Sequence, residues 1–249
     1  MRTDIPEDHP RRASLLAREA IADGVERGLV DRTGLIAHGR GEAFDYLLGE
    51  ETPPPARRAI DAAAAALLLA ERPVISVNGN TAILAGEAIA ALSRDRGIPV
   101  EVNIFHRTEE RLARLVRYME GLGPHSVLGL AADATIPGLA QPRSRCARKG
   151  IFGSDVVLVP LEDGDRAAAL VSMGKTVVTV DLNPLSRTAR TASITIVDNV
   201  VRAIPAVQGR MQALSREDAE QVLRSFVNDD NISASLLHIE ERLRRIAGQ

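Results

Sequence analysis

The stretch "DVVLVPLEDGDRAAALVSMGKTVVTVDL", Asp155 to Leu182, sets two short β-branched runs on either side of a segment long enough for a helix. Neither run alternates polar with apolar residues, so both faces of each strand need cover from helices, as in a parallel sheet. Strand, helix and strand in that order form a β-α-β unit. The pattern extends outward on both sides. Upstream, "PVISVN", "TAILAGEAIAALSRDRG", "IPVEVNIF", "RTEERLARLVRYMEGLG" and "SVLGLA" alternate strand with helix, and downstream "ITIVDN" adds a further strand.

These units predict an α/β fold: a Rossmann-like parallel sheet flanked by helices, with N-terminal and C-terminal helical segments, in a single domain. The helical N-terminal part covers about residues 1–72, the sheet core about 73–206 and the C-terminal helices about 207–249. From Pro10 to Gly28 the apolar residues Leu15, Leu16, Ala20, Ile21 and Val25 recur at helical spacing. "TPPPARRAIDAAAAALLLAERP" reads as a buried helix between proline stops. "TIPGLAQPRSRCARKGIFGS" reads as a loop. Two helical stretches are expected in the last quarter, one carrying a stripe of Ile232, Leu236, Ile239, Leu243 and Ile246 whose simplest role is a core contact rather than a dimer seam.

A chain of 249 residues with 45% hydrophobic content can bury a substantial core. Its 31 basic and 33 acidic residues nearly balance, which gives no general electrostatic reason to bind nucleic acid or an anionic membrane. Any anion site must be local. Aromatic residues make up 2% of the chain and Trp is absent, leaving few platforms on which bases could stack. Cys146 is alone and no Cys/His cluster accompanies it, so neither a disulfide framework nor a structural zinc is expected. With the polar start "MRTDIPEDHPRR", and no apolar run near the roughly 20 residues a bilayer span needs, a cytoplasmic protein is expected.

In an open parallel sheet, ligands bind beyond the carboxyl ends of the strands. Hydrogen-bonding or ionisable residues follow five strands here: Asn78, Gly79 and Asn80; His106, Arg107 and Thr108; Glu162 to Arg166; Asp181 and Asn183; Asp198 and Asn199. Any one of them could be an ordinary helix cap. Together they predict a polar rim lining one site. In "GLIAHGRGEAFDYLLGE" the glycines are expected to let a backbone approach a ligand closely around His38 and Arg40. His38 is open to two readings, an acid or base and a turn histidine bonded to backbone. The basic run Arg143, Arg145, Arg148 and Lys149 is expected to be a solvated face. Neither G-x-G-x-x-G after a strand nor a P-loop occurs.

Taken in order, "IPEDHPR", "GLIAHGRGEAFDYLLGE", "SVNGN", "VNIFHRTEER", "VPLEDGDR", "VDLNPLSRTAR" and "ITIVDN" resemble the archaeal phosphopantothenate synthetases, the 4-phosphopantoate--beta-alanine ligases. The resemblance runs from about Ile5 to about Ala206. It implies a ligase of coenzyme A biosynthesis that condenses 4-phosphopantoate with beta-alanine, cleaves ATP to AMP and diphosphate through a phosphopantoyl adenylate, uses magnesium, and works as a homodimer. It carries ATP contacts to Arg18, Arg40, Asp181, Leu182, Asn183, Arg187, Thr188, Asn199 and Val200, with Leu182 and Val200 acting through backbone groups. The metal ligands are not identified. Asn78, Asn80, His106 and Arg107 are expected to hold 4-phosphopantoate because they follow strands, and Arg40, His106 and Arg107 are the candidates nearest the chemistry. Read without the resemblance, the residues leave two alternatives: a nicotinamide-dependent oxidoreductase, disfavoured by the missing glycine fingerprint, and a non-enzymatic nucleotide-binding regulator.

Overall fold

The computed structural model describes residues 5–248. Six strands make the central sheet: β1 Pro73–Val77, β2 Val100–Val102, β3 Val127–Leu128, β6 Val156–Leu158, β7 Thr176–Val180 and β8 Ile194–Ile196. They are all parallel, in the order β3-β2-β1-β6-β7-β8. The chain therefore winds outward from β1 to β3, returns across the sheet to β6, and winds outward the other way. Ile75 stands opposite Val100 on one side and Leu158 on the other, so β1 and β6 are the adjacent strands from which the two halves diverge. Such a reversal opens a crevice beyond the carboxyl ends of that pair.

Ten α-helices are present among the described residues: α1 Arg12–Glu26, α2 Arg32–Leu48, α3 Pro54–Leu69, α4 Gly79–Arg96, α5 Glu109–Gly121, α6 Gly164–Ser172, α7 Arg187–Thr191, α8 Val200–Ala213, α9 Arg216–Ser225 and α10 Asn228–Ala247. Alternation along the strands splits the core in two. Ile75, Val77, Val100, Val102, Val178, Val180, Ile194 and Ile196 pack with α3, α4, α5 and α8 on one face. Val74, Val157, Val159 and Val177 pack with Ile136, Cys146, Ile151 and Leu170 on the other. The alanine run of α3 is buried from Ala62 to Ala66, and these short side chains let α3 lie close against β8, α8 and α9. None of the described helices is long and apolar enough to cross a membrane.

Three segments differ from the sequence reading. "GLIAHGRGEAFDYLLGE", whose glycines were expected to bring a backbone close to a ligand, is most of α2, capped by Asp31, whose carboxylate accepts the Thr33 N–H at 2.9 Å, and ended by Gly49 in the left-handed region at φ 102°. Gly34 inside it serves packing, since a Cβ there would collide with Asn80 and Val30 where α2 crosses α4. The segment read as a loop before Asp155 holds an antiparallel ribbon of β4 (Ala134–Thr135) and β5 (Arg145–Cys146), a 3-10 turn at Pro142–Ser144 and a wide helical turn at Arg148–Phe152. Glu101 in β2, 0% exposed, anchors that turn by accepting the N–H groups of Ala147 (3.0 Å) and Ile151 (2.7 Å). The last quarter holds three helices rather than two, and only part of the α10 stripe is a core contact. Ile232 is buried and Ile239 packs beside it against α2 and α7, whereas Leu236, Leu243 and Ile246 are exposed.

Candidate active site

A cavity of about 460 Å³ lies over the carboxyl ends of β1 and β6. The polar residues after the strands build it by capping helices. Asn78, after β1, accepts the Thr81 N–H at 3.0 Å and donates Nδ2 to the Leu161 carbonyl at 2.9 Å, tying the start of α4 to the end of β6. Asn199, after β8, accepts the Val201 N–H at 3.2 Å and donates Nδ2 to Asp45 at 2.8 Å, tying the start of α8 to α2. Thr33 and Gly34 of α2, Gly79 and Asn80 of α4, and Val200 and Val201 of α8 all line the cavity. Three long helices thus present their positive ends to one space, each worth roughly half a unit charge.

The lining side chains balance formally: Arg11, Arg111, Arg143 and Arg202 against Asp31, Glu42, Asp45 and Glu50. Most are committed to one another. Arg202 is bracketed by Asp45 and Asp198, each at 2.6 Å. Glu42 accepts Arg18 Nε on both oxygens at 3.0 Å; burial pushes its carboxyl up, and bonds from Arg18, Ser14 and Tyr46 more than offset this and hold it below the usual range. Arg143 binds Glu162 and Asp163. The attraction for an anion therefore comes from the helix ends and from arginine donors left over.

Backbone strain gathers at the same place. Among the described residues, Glu50 (φ 57°) and Leu161 (φ 56°) are the non-glycine residues in the left-handed region, and both line the cavity. Such positions cost about 1–3 kcal/mol and cluster at functional sites.

Of the residues singled out in the sequence, His38, Asn78, Gly79, Asn80, His106, Arg143, Leu182, Asn199 and Val200 line the cavity. His106 Nε2 stands 3.8 Å from Asp31. The other candidates lie around it. Arg18 sits behind Glu42. Arg40 is on the exposed side of α2, where its charge acts on Asp181, whose carboxyl burial pushes up while Ser186, the Asn183 N–H and Arg40 oppose. Asn183 continues from Asp181 just past β7, Thr188 is buried and donates Oγ1 to the Glu162 carbonyl at 2.8 Å, and Arg187 is exposed and paired with Asp165 at 2.6 Å. Arg107 turns away, its side chain 4% exposed and directed to the Gly129 carbonyl and Glu109.

Two expectations need correcting here. Asp198 is not on a wet rim: it is 1% exposed, held by Thr52 Oγ1 at 2.7 Å and by Arg202. Arg143 is not on a solvated face: it is 4% exposed because its two acidic partners neutralise it underneath the ribbon. For Arg143 the sequence carried no sign, since its partners Glu162 and Asp163 lie 19 and 20 residues away and look like caps. His38 is a helix residue on the cavity wall, not a turn histidine. Its Nε2 is buried without a hydrogen-bond partner among the described residues, and burial holds the ring below its ordinary pKa. Arg111, Arg202, Glu42 and Asp45 also went unnoticed, since charged residues at helical spacing look like solvated faces; the i,i+4 spacing of Asp198 and Arg202 was the one usable signal.

Residues 55–242 match the family described as phosphopantothenate/pantothenate synthetase. A protein of Thermococcus kodakarensis is 51% identical over 248 residues, covering 98% of this chain and 95% of its own, and one of Methanosarcina mazei is 49% identical over 250 residues, covering 99% and 98%. Both carry the name 4-phosphopantoate--beta-alanine ligase, as does a Methanospirillum hungatei protein that is 47% identical over 242 residues, 97% of this chain and 99% of its own.

Proposed function

The chain belongs to the phosphopantothenate/pantothenate synthetase family and is a ligase; from that premise we propose that it joins 4-phosphopantoate to beta-alanine, splitting ATP into AMP and diphosphate. Ligase relatives across nearly the whole chain remove the oxidoreductase and the non-enzymatic regulator from consideration. The observation that carries the reading is the convergence of three helix N-termini on one cavity at the sheet's reversal point. Two phosphorylated substrates and two carboxylates need such a place more than they need a nucleophile.

A carboxylate does not condense with an amine unaided, because its oxygen is a poor leaving group. Transfer of that oxygen onto the α-phosphorus of ATP, with loss of diphosphate, gives a phosphopantoyl adenylate. Attack by the amine of beta-alanine then forms the amide and releases AMP. The nucleotide belongs at the β7–β8 end, against Asp181, Leu182, Asn183, Asn199 and the backbone of Val200, with Arg18, Arg40, Arg187 and Thr188 around its phosphates. The acyl substrate belongs at the β1–β2 end, with Asn78, Asn80 and His106. His38 lies on the wall of the same cavity, and with its ring pKa held down it is neutral near pH 7 and able to take the proton that the amine must lose.

Among the described residues no three ligating side chains form a cage for a metal. Magnesium bound through nucleotide phosphates needs only one or two carboxylates. Glu50, on the cavity wall and in no ion pair among the described residues, fits that need. The ion would neutralise phosphate charge. A cytoplasmic homodimer completes the reading, and light scattering of the purified protein tests the dimer. Incubation with ATP, 4-phosphopantoate and beta-alanine should yield AMP and 4'-phosphopantothenate in equal amounts; AMP formed without beta-alanine consumption, or no AMP at all, would overturn the proposed reaction.

A further inference from the structure

Among the described residues, Arg111 is the arginine of the cavity wall that forms no ion pair. It sits in the first turn of α5, and its guanidinium donates Nη1 to the His106 carbonyl (3.0 Å) and Nη2 to the Leu29 carbonyl (3.3 Å). Its Nε is buried and has no partner, and it forms no ion pair with a carboxylate among the described residues. Asp31 is the acidic group whose charge reaches it, and burial still outweighs that attraction and pushes the guanidinium pKa down. Arginine keeps its proton regardless, so a cation stands partly desolvated with two backbone carbonyls but no bonded carboxylate.

Its neighbour makes matters worse. A Cβ on Gly79 would lie 3.1 Å from Arg111 Nη2, so the guanidinium rests against the opening turn of α4, a helix of 18 residues whose N-terminus carries positive partial charge. Two positive features are pressed together at the edge of a cavity, with donors unspent on both. An anion placed there relieves both at once, and a phosphate dianion offers three acceptor oxygens where a carboxylate offers two. We propose that Arg111, together with the first turn of α4, seats the phosphate of the acyl substrate and so decides between 4-phosphopantoate and unphosphorylated pantoate.

The inference rests on the ligase reading above. The position favours the acyl substrate over the nucleotide: Gly79 follows β1, three strand intervals or about 14 Å across the sheet from β8, whose end begins the Asn199–Val200 turn. Arg107, four residues earlier in sequence, has its side chain directed elsewhere.

The test is steady-state kinetics of the full-length parent, Arg111→Ala and Arg111→Lys, with 4-phosphopantoate and with pantoate as acyl substrate, at saturating ATP and beta-alanine. Loss of charge-assisted hydrogen bonds should raise the KM for 4-phosphopantoate about 10- to 150-fold in Arg111→Ala. The KM for ATP should stay within about threefold, since the nucleotide phosphates are placed elsewhere. The preference for 4-phosphopantoate over pantoate should collapse by the same factor, and Arg111→Lys should recover part of it as a point charge without the fork. A merely structural role would reduce turnover of both acyl substrates equally, and that result would overturn the proposal, as would an unchanged KM or a rise confined to ATP. If Arg111→Ala does not fold, Arg111→Lys and Arg111→Gln give the same comparison. A parent that fails to ligate 4-phosphopantoate at all strikes the ligase reading instead, before any variant is compared.

Discussion

Glu162→Gln isolates one electrostatic element that supports the cavity. The Glu162 side chain is fully buried between Arg143, whose Nη1 lies 2.5 Å from Oε1, and Arg166, itself 0% exposed and bonded to Oε2. The Asp163 N–H adds a third donor at 2.7 Å. Glutamine keeps the volume, removes the charge and replaces one acceptor oxygen with a donor facing a guanidinium. Arg143 would retain Asp163 and the Asn103 side-chain Oδ1, both at 3.3 Å, but Arg166 would keep only the Ser76 hydroxyl at 3.2 Å. Removing one partner of a buried ion pair costs about 3–5 kcal/mol because the other charge stays buried. At roughly 2–4 °C per kcal/mol for a chain of this size, the melting temperature should fall by about 6–20 °C. Calorimetry or circular dichroism measures it. Buried pairs are screened little, so the deficit should persist at about 0.5 M salt. A fall below about 2 °C, or one that disappears in salt, would refute the buried-cluster account. Since Arg143 reaches the cavity wall, the KM values of the surviving variant should rise as well.

Asp31→Ala removes the N-cap of α2 and should cost about 1 kcal/mol in urea titrations near neutral pH. Hydrogen bonds from the Thr33 N–H and hydroxyl hold the Asp31 carboxyl below its ordinary pKa, so this contribution is present above the unfolded value of about 4 and is lost as pH falls through the lower folded value. Parent and variant should therefore converge in acid, and a gap unchanged down to pH 2 would contradict the cap's ionic character. His38→Ala should lower kcat about 10²- to 10⁴-fold and abolish the acid limb of the pH–kcat profile, which in the parent should lie below pH 6.5 because burial lowers the ring pKa. An acid limb that survives the substitution would assign the proton to another group. Asp45→Asn deprives Arg202 of one carboxylate and turns an amide toward Asn199 Nδ2, which should cost about 1–3 kcal/mol and raise the KM for ATP more than that for 4-phosphopantoate. Equal effects on both would sever Asp45 from the nucleotide end.

Local signals carried the secondary structure and misjudged what lay between. The runs from Pro73 to Asn199 are continuous and β-branched, so their burial on two faces followed from composition. The asparagines after β1 and β8 were noticed as strand ends, and they proved to be helix caps as well as cavity residues, because a cap at that position aims its helix at the crevice. In "GLIAHGRGEAFDYLLGE" the glycines suggested a close backbone approach to a ligand, yet three of them, Gly34, Gly39 and Gly41, lie inside α2, its cap and packing against α4 outweighing a glycine penalty of about 1 kcal/mol each. The stripe on α10 was read whole, but a helix covers its neighbours only as far as those neighbours extend, and Leu243 and Ile246 run past them.

Periodicity and β-branching, being properties of adjacent residues, determined by themselves that this chain forms a parallel α/β sheet with its polar groups at the strand tips. The tertiary structure alone decided which charges face one another: Glu162 with Arg143 across 19 residues, Asp45 with Arg202 across 157, and Arg111 with no ion-pair partner among the described residues. Electrostatic energy depends on distance and burial in space, and neither is written in the spacing of residues along the chain.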